Sequence, residues 1–389
     1  MNNKLAVMFL TFLVMIAITP FIFGKLMNAK YNQMLDNLRK KGVEINVTED
    51  KSTYLQTDKI LSVTIPSKLF DNSKAVKNIK LKVETKFKNL PVTNVIIISE
   101  IEDIDISINN EAINAVKDFI KKNIKLTIVT PDFKKYNFKF KDINTKAEDM
   151  EFRVSGISGF VKYKNQLYYK LCIKEILLND TNDTKRFIKI TNLTNNFSDK
   201  RGIVKSALRL DFKLQDEDKI ELKNFKILIQ SSGSEYADIN TTFVFDDFIL
   251  ENKLKMYNFN LKFNAKHINK ADFVAFLLSS GFYKQIFLNS LLSKGVEIDI
   301  DSKTKTVIIS DKKGYYKLHF YLKTAKSNNL NIQNANLKLT TTKEVFDFVV
   351  KNIGFFNDPY KYAKVKNGVV YLDIQRKNNQ LYINGKLAK

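Results

Sequence analysis

The chain has 389 residues, 44% hydrophobic and 12% aromatic, with a formal net charge of +23 at pH 7. That much apolar material can bury a sizeable core in two or three structural units, which excludes a disordered tail. The single cysteine, Cys172, excludes an intramolecular disulfide and with it a disulfide-stapled scaffold.

The charge does not read as nucleic-acid recognition. Only 6 of the 64 basic residues are arginine, whereas forked arginine contacts are the usual means of gripping phosphate and guanine. The lysines are spread along the polar faces of strands, as at Lys80, Lys82, Lys86 and Lys88, and read as solvated surface. Attraction to anionic lipid headgroups or acidic envelope polymers is the functional alternative.

In chain order, residues 1–4 form a short N-terminus and 5–24 a candidate transmembrane anchor. Leu5 to Phe23 carries no charge. Its nineteen residues, at about 1.5 Å each, reach about 29 Å, close to the roughly 30 Å of a bilayer's hydrocarbon core. A cleaved signal peptide has a shorter apolar core, about 7 to 15 residues, followed by small residues. The longer run here, and the poor match of Met27, Asn28 and Ala29 to a cleavage site, favour an uncleaved anchor. Lys25, Lys30, Arg39, Lys40 and Lys41 after the span argue for a cytoplasmic C-terminal side, by a rule that weakens for long translocated domains.

Residues 25–42 read as a juxtamembrane helix, with Leu26, Tyr31, Met34, Leu35 and Leu38 at helical spacing and a stop near Gly42. Residues 43–268 then form the first part of a β-rich domain. Val43, Ile45 and Val47 alternate with polar residues, and Ile60, Leu61, Val63 and Ile65 mark a second strand. Ile79, Leu81, Val83, Thr85 and Phe87 face one way, with Lys80, Lys82, Glu84, Lys86 and Lys88 facing the other. This period of two predicts an antiparallel sheet covered on one side only. It repeats at Ile104, Ile106 and Ile108, at Tyr136, Phe138 and Phe140, and at Met150, Phe152 and Val154. It returns at Leu208, Leu210, Phe212 and Leu214, and at Phe259, Leu261 and Phe263. The predicted fold class is mostly β with a few helices, an α+β chain behind an N-terminal transmembrane helix.

Three amphipathic helices interrupt the strands. Glu111 to Ile124 aligns Ile113, Val116, Phe119 and Ile120; Thr342 to Phe355 aligns Val345, Phe348, Val349 and Ile353. Residues 269–389 form the second part of the domain, opening on a long helix from Asn269 to Lys294 with Gly281 in its middle. The plain reading of such stripes is core packing. The apolar excess of the long helix makes Phe273, Phe276, Leu277, Phe282 and Phe287 the candidate lining of a groove for a hydrophobic ligand.

Lys-Gly-Val-Glu-Ile occurs twice, at Lys41 to Ile45 and at Lys294 to Ile298. Each time a helix stops at a glycine and a strand starts at once, so the two segments are either independent caps or the mark of a partial repeat.

Catalytic motifs are lacking. His267 and His319 have no ligand-like spacing to a carboxylate and read as ordinary sheet or loop histidines. There is no nucleophile elbow, phosphate loop or dinucleotide turn, and Gly156 to Gly159 reads as a bulge or turn between strands. The acidic runs Glu100 to Asp105 and Asp216 to Asp218 read as solvated turns or edges, with calcium as the weaker option. No cofactor, metal site or catalytic residue is expected.

The layout carries a resemblance. A terminal span, Gly24 with a following helix, the Gly42 to Ile45 strand, a body of antiparallel strands and a closing QLYINGK strand at Gln380 to Lys386 together resemble the YdgA-like bacterial proteins of unknown function. The resemblance implies an inner-membrane anchor followed by a periplasmic domain, and a closing strand that carries Asn384, Gly385 and Lys386. With the anchor and location that the resemblance implies, and the excess of Phe and Ile on one strand face, the expected function is that of a non-catalytic, single-pass inner-membrane protein whose periplasmic domain binds lipid or another hydrophobic envelope component. The alternative is an envelope scaffold or interaction protein with a filled core. Partners would be the inner membrane, through 5–24, and a lipid or envelope protein, not nucleic acid.

Overall fold

The computed structural model describes residues 25–389, apart from 54, 67–75, 90–93, 107–116, 119–120, 123, 132, 148, 164–165, 184, 217–218, 234, 252, 279–280, 328–329, 354–358, 378 and 389. The anchor expected at 5–24 lies outside the described residues, as does most of the helix expected at 111–124, of which 117–118 and 121–122 are helical. No described helix is long and apolar enough to cross a membrane.

The chain is mostly β, with one large antiparallel sheet. It divides into two compact units: residues to 145 with 153–165 and 169–173, and residues 146–152 and 166–168 with 174–389. The boundary expected at 268/269 falls inside the second unit.

The first unit begins with helix α1, residues 25–40, followed by strands β1 (Glu44–Asp50), β2 (Gln56–Pro66), β3 (Val76–Lys88), β4 (Val95–Ile106), β5 (Lys125–Thr130) and β6 (Lys135–Phe140). These pair in sequence as an antiparallel meander. Next in the chain come β7 (Ile143–Ala147), β8 (Met150–Ser155), β9 (Ser158–Tyr163) and β10 (Leu167–Asp180), of which β9 lies wholly in the first unit and the other three are divided between the two. β9 pairs with β6, and Gly156 sits in the short turn between β8 and β9 with φ 65°.

The strict alternation of β3 places Leu81 and Val83 against the core, whereas Lys80, Lys82 and Lys88 are exposed. α1 covers that apolar face with Tyr31 and Leu35, which pack on Val43, Ile45, Leu61 and Val63. Tyr31 is 1% exposed; its ring meets Phe87 and Phe133, each at 6.3 Å, and its hydroxyl donates to Thr85 Oγ1 at 2.9 Å. Burial pushes the Tyr31 phenol up, so it stays a neutral donor. α1 ends where Gly42, at φ 90°, turns the chain left-handed; Gly42 N–H donates to Arg39 O and Val43 N–H to Leu38 O, closing the orphan carbonyls.

The second unit is a longer meander: β11 (Phe187–Lys200), β12 (Ile203–Gln215), β13 (Lys219–Ser232), β14 (Tyr236–Leu250), β15 (Leu254–Asn269), β16 (Glu297–Ile309), β17 (Lys312–Thr324) and β18 (Ile332–Thr342). β19 (Lys364–Lys366), β20 (Val369–Lys377), β21 (Gln380–Ile383) and β22 (Lys386–Leu387) complete it, with β20 paired to β18. Between β15 and β16 lie α2 (Lys270–Leu278) and α3 (Gly281–Ser293); α4 (Lys343–Ile353) follows β18.

The single long helix expected at 269–294 is thus two helices. Asn269 ends β15, and its Oδ1 accepts from Asp272 N–H at 3.1 Å, an N-cap for α2. α3 ends as α1 does: Gly295 takes φ 85° and Val296, fully buried, starts the strand. Val296 N–H donates to Thr324 Oγ1 at 3.0 Å. Both Lys-Gly-Val-Glu-Ile segments are therefore helix caps feeding buried valines into strands.

A line of bulges crosses the meander. Asn192, Asn224 and Asn258, on β11, β13 and β15, adopt φ of 55°, 53° and 55°, a left-handed conformation that Asn tolerates. Asp211 on β12 accepts from Asn192 Nδ2 at 2.7 Å and from Asn224 N–H at 2.6 Å. Asn224 Nδ2 in turn donates to Asp246 of β14 at 2.6 Å. The register slips here in β11/β12 and β12/β13, which adds local bend and twist.

Candidate functional site

The faces of the second unit differ sharply. Register sets Leu261, Ser302, Leu318, Leu339 and Leu372 side by side across β15, β16, β17, β18 and β20, one residue per strand. One residue over, the opposite face carries Lys262, Asp301, His319, Lys338 and Asp373 in the same way. A period of two thus makes a nearly pure leucine row on one side and an ionic row on the other.

α4 lies over the leucine row, in contact with β16, β17, β18 and β20. Val345 and Phe346 are buried, the only two among its described side chains, and each burial is worth about 1.5–3 kcal/mol relative to exposure. Its approach depends on Gly314 of β17: a Cβ there would stand 2.1 Å from Thr342 Oγ1 and 2.7 Å from Val345 Cγ2. Of the face expected for this helix, Val345 is buried, Phe348 is half-buried, Val349 is exposed and the side chain of Ile353 lies outside the described residues; Phe346 rather than Phe348 is fully buried.

Between α4 and the sheet is a cavity of about 410 Å³, lined from α4 by Val345, Phe346, Val349 and Val350 and from the sheet by the leucine row, Leu337, Tyr316 and Thr341. Val349 lines it yet remains 41% exposed, which places the mouth beside that residue. The lining holds no Lys, Arg, His, Asp or Glu; its polar side chains are Ser302, Tyr316 and Thr341. Ser302, 4% exposed, and Tyr316 satisfy each other through hydroxyls 3.0 Å apart, and Thr341 donates to Tyr315 O at 2.9 Å. Burial pushes the Tyr316 phenol up, against a smaller lowering by the Ser302 hydrogen bond, so it remains neutral in ordinary conditions.

A latch holds the first half of α4. Tyr360 packs its ring edge-on to Phe346 at 5.2 Å and its hydroxyl donates to Asp347 Oδ1. Burial and the hydrogen bond and charge of Asp347 push the Tyr360 phenol up to about 12.

The residues expected to line a groove are placed otherwise. Phe273 packs beside the cluster of Ala265, Ile268, Leu291 and Val296, against the same sheet face but outside the α4 cavity. Phe287 is half-buried on α3, and the side chains of Phe276, Leu277 and Phe282 lie outside the described residues. The cavity residues escaped the sequence because they come from five strands and a helix; the legible trace was Leu261 in its alternating strand and Val345 and Val349 on their helix.

One ionic cluster was also missed. Asp299, Asp301 and His319 bring one ligand atom each within 4.8 Å of the others. His319 Nδ1 is 3.0 Å from Asp301 Oδ1 and 3.5 Å from Asp299 Oδ1. Two carboxylates and an imidazole are donors suited to a divalent cation; here the imidazole itself lies within ion-pair distance of both carboxylates. His267, expected to be an ordinary sheet or loop residue, instead sits at φ 61° where the β14/β15 register slips, its N–H donating to Asp238 Oδ1 at 3.1 Å and its ring stacked on Tyr236 at 4.4 Å. Of the acidic runs, Glu100 pairs with Lys125 and Asp103 with Lys117 at 2.9 Å, as solvated strand residues do; 217–218 lie outside the described residues.

Comparison with known proteins finds no matching family model, curated protein or solved structure.

Proposed function

We propose that the second unit binds an apolar molecule, a lipid chain in kind, in the cavity beneath α4, and that it does so without catalysis. The observation that carries this reading is a 410 Å³ cavity with an uncharged, mostly aliphatic lining beside an exposed valine. Cavities of some 300–1,000 Å³ lined in this way are the usual form of small-ligand sites. None of the lining residues is a carboxylate, imidazole or amine able to move a proton. Leu5 to Phe23 supports an anchor that presents this unit at a membrane, with the periplasmic side as the proposed location, and the lysine-rich surface suits an anionic bilayer.

The test uses the full-length chain kept in solution by an amphipathic polymer. An apolar fluorophore should brighten on binding and be displaced by dodecane, and native mass spectrometry should show a retained lipid. Leu339→Trp, which puts an indole into the cavity from the middle of the leucine row, should abolish both signals while the protein stays folded. A wild-type chain that neither brightens the fluorophore nor retains lipid contradicts the reading and favours the filled-core scaffold.

A further inference from the structure

Resting on the reading above, the cavity floor also indicates which kind of apolar molecule it takes. Ser302 interrupts a row whose other members are Leu261, Leu318, Leu339 and Leu372. A hydroxyl at such a position must be paired, and Tyr316 pairs it at 3.0 Å. Two hydroxyls hold two hydrogens, and their mutual bond uses one. No other hydrogen bond of either hydroxyl is present among the described residues, so one O–H remains to donate toward an acceptor. The lining offers no cation to accompany an anion. An ionised headgroup brought to this floor would lose its hydration without gaining a counter-charge. The volume sets the scale: at about 30 Å³ for a water-sized group, the 410 Å³ cavity has room for about a dozen such groups, the carbons of one medium-length chain.

We infer that the cavity takes a single-chain lipid whose buried end carries an uncharged oxygen, a hydroxyl or an ester carbonyl, hydrogen-bonded to the Ser302–Tyr316 pair. An ionised fatty acid is disfavoured. The experiment titrates the full-length chain, loaded with the apolar fluorophore, with 1-dodecanol, dodecane and dodecanoate at neutral pH. In the wild type, dodecanol should displace the fluorophore at lower concentration than dodecanoate. Tyr316→Phe and, separately, Ser302→Ala should each raise the dodecanol concentration required by about tenfold, the worth of one hydrogen bond, and leave dodecane within twofold. If dodecanoate matches dodecanol, or if both variants shift dodecanol no more than dodecane, the proposal is overturned while the apolar-ligand reading stands. If dodecane itself fails to displace the fluorophore from the wild type, both fall together.

Discussion

The two units solve one problem with the same parts and reach opposite results. In each, a helix lies on the apolar face of an antiparallel sheet, and in each a buried tyrosine meets a strand hydroxyl: Tyr31 with Thr85 at 2.9 Å, Tyr316 with Ser302 at 3.0 Å. Under α1 the tyrosine comes from the helix and its ring fills the space, wedged against Phe87 and Phe133. Under α4 the tyrosine comes from the sheet, and the helix answers with Val345, Phe346, Val349 and Val350, which leave 410 Å³ open.

That contrast can be broken at the aromatics. Tyr31→Ala should cost about 3–5 kcal/mol, because it opens a void in a closed cluster. Tyr316→Ala enlarges a space that already reaches the surface, so its cost should be smaller by about 2 kcal/mol on the same scale. Urea midpoints of the two variants measure the difference; equal losses would mean that the α4 junction is as closed as that of α1.

Gly314→Ala should come next, at about 1–3 kcal/mol, because its methyl meets Thr342 and Val345 and must lift the start of α4. The sharper readout is fluorophore affinity, which should change along with stability. By contrast, Gly202 has open space where its side chain would stand, so Gly202→Ala should carry only the strain of its φ of 77° and leave the cavity unaltered.

The smallest effect concerns pH. The folded-state pKa of Tyr360, about 12, lies above the unfolded value of 10.0, so folding favours the neutral phenol. Its contribution is fully present below about pH 10 and is lost as pH rises through about 12. Absorbance titration of phenolate should therefore lack one late-ionising tyrosine in Tyr360→Phe, and that variant should show a flatter loss of α4 protection from hydrogen exchange between those limits.

Local chemistry was legible in the sequence wherever one segment decides it. The alternation from Ile79 to Lys88 fixed both faces of β3, and the glycines of the two Lys-Gly-Val-Glu-Ile segments fixed where α1 and α3 stop, because period and left-handed φ are properties of a few adjacent residues. What depends on register was not legible. His319 met Asp301, and Ser302 fell among leucines, only because β16 and β17 pair as they do. The Asn192, Asn224 and Asn258 line is likewise invisible until alternate strands are set beside one another. On α4, Phe346 and Phe348 are two residues apart, so a helical stripe alone could not say which of them turns toward the sheet.

The most direct test is where an apolar photolabel lands. The full-length chain would be irradiated with a diazirine-bearing dodecyl alcohol and its peptides mapped by mass spectrometry. The account predicts adducts on Leu337, Leu339 and Val345 to Val350, and none on Tyr31, Leu35 or Leu61. Equal labelling of both junctions, or labelling of neither, would contradict it.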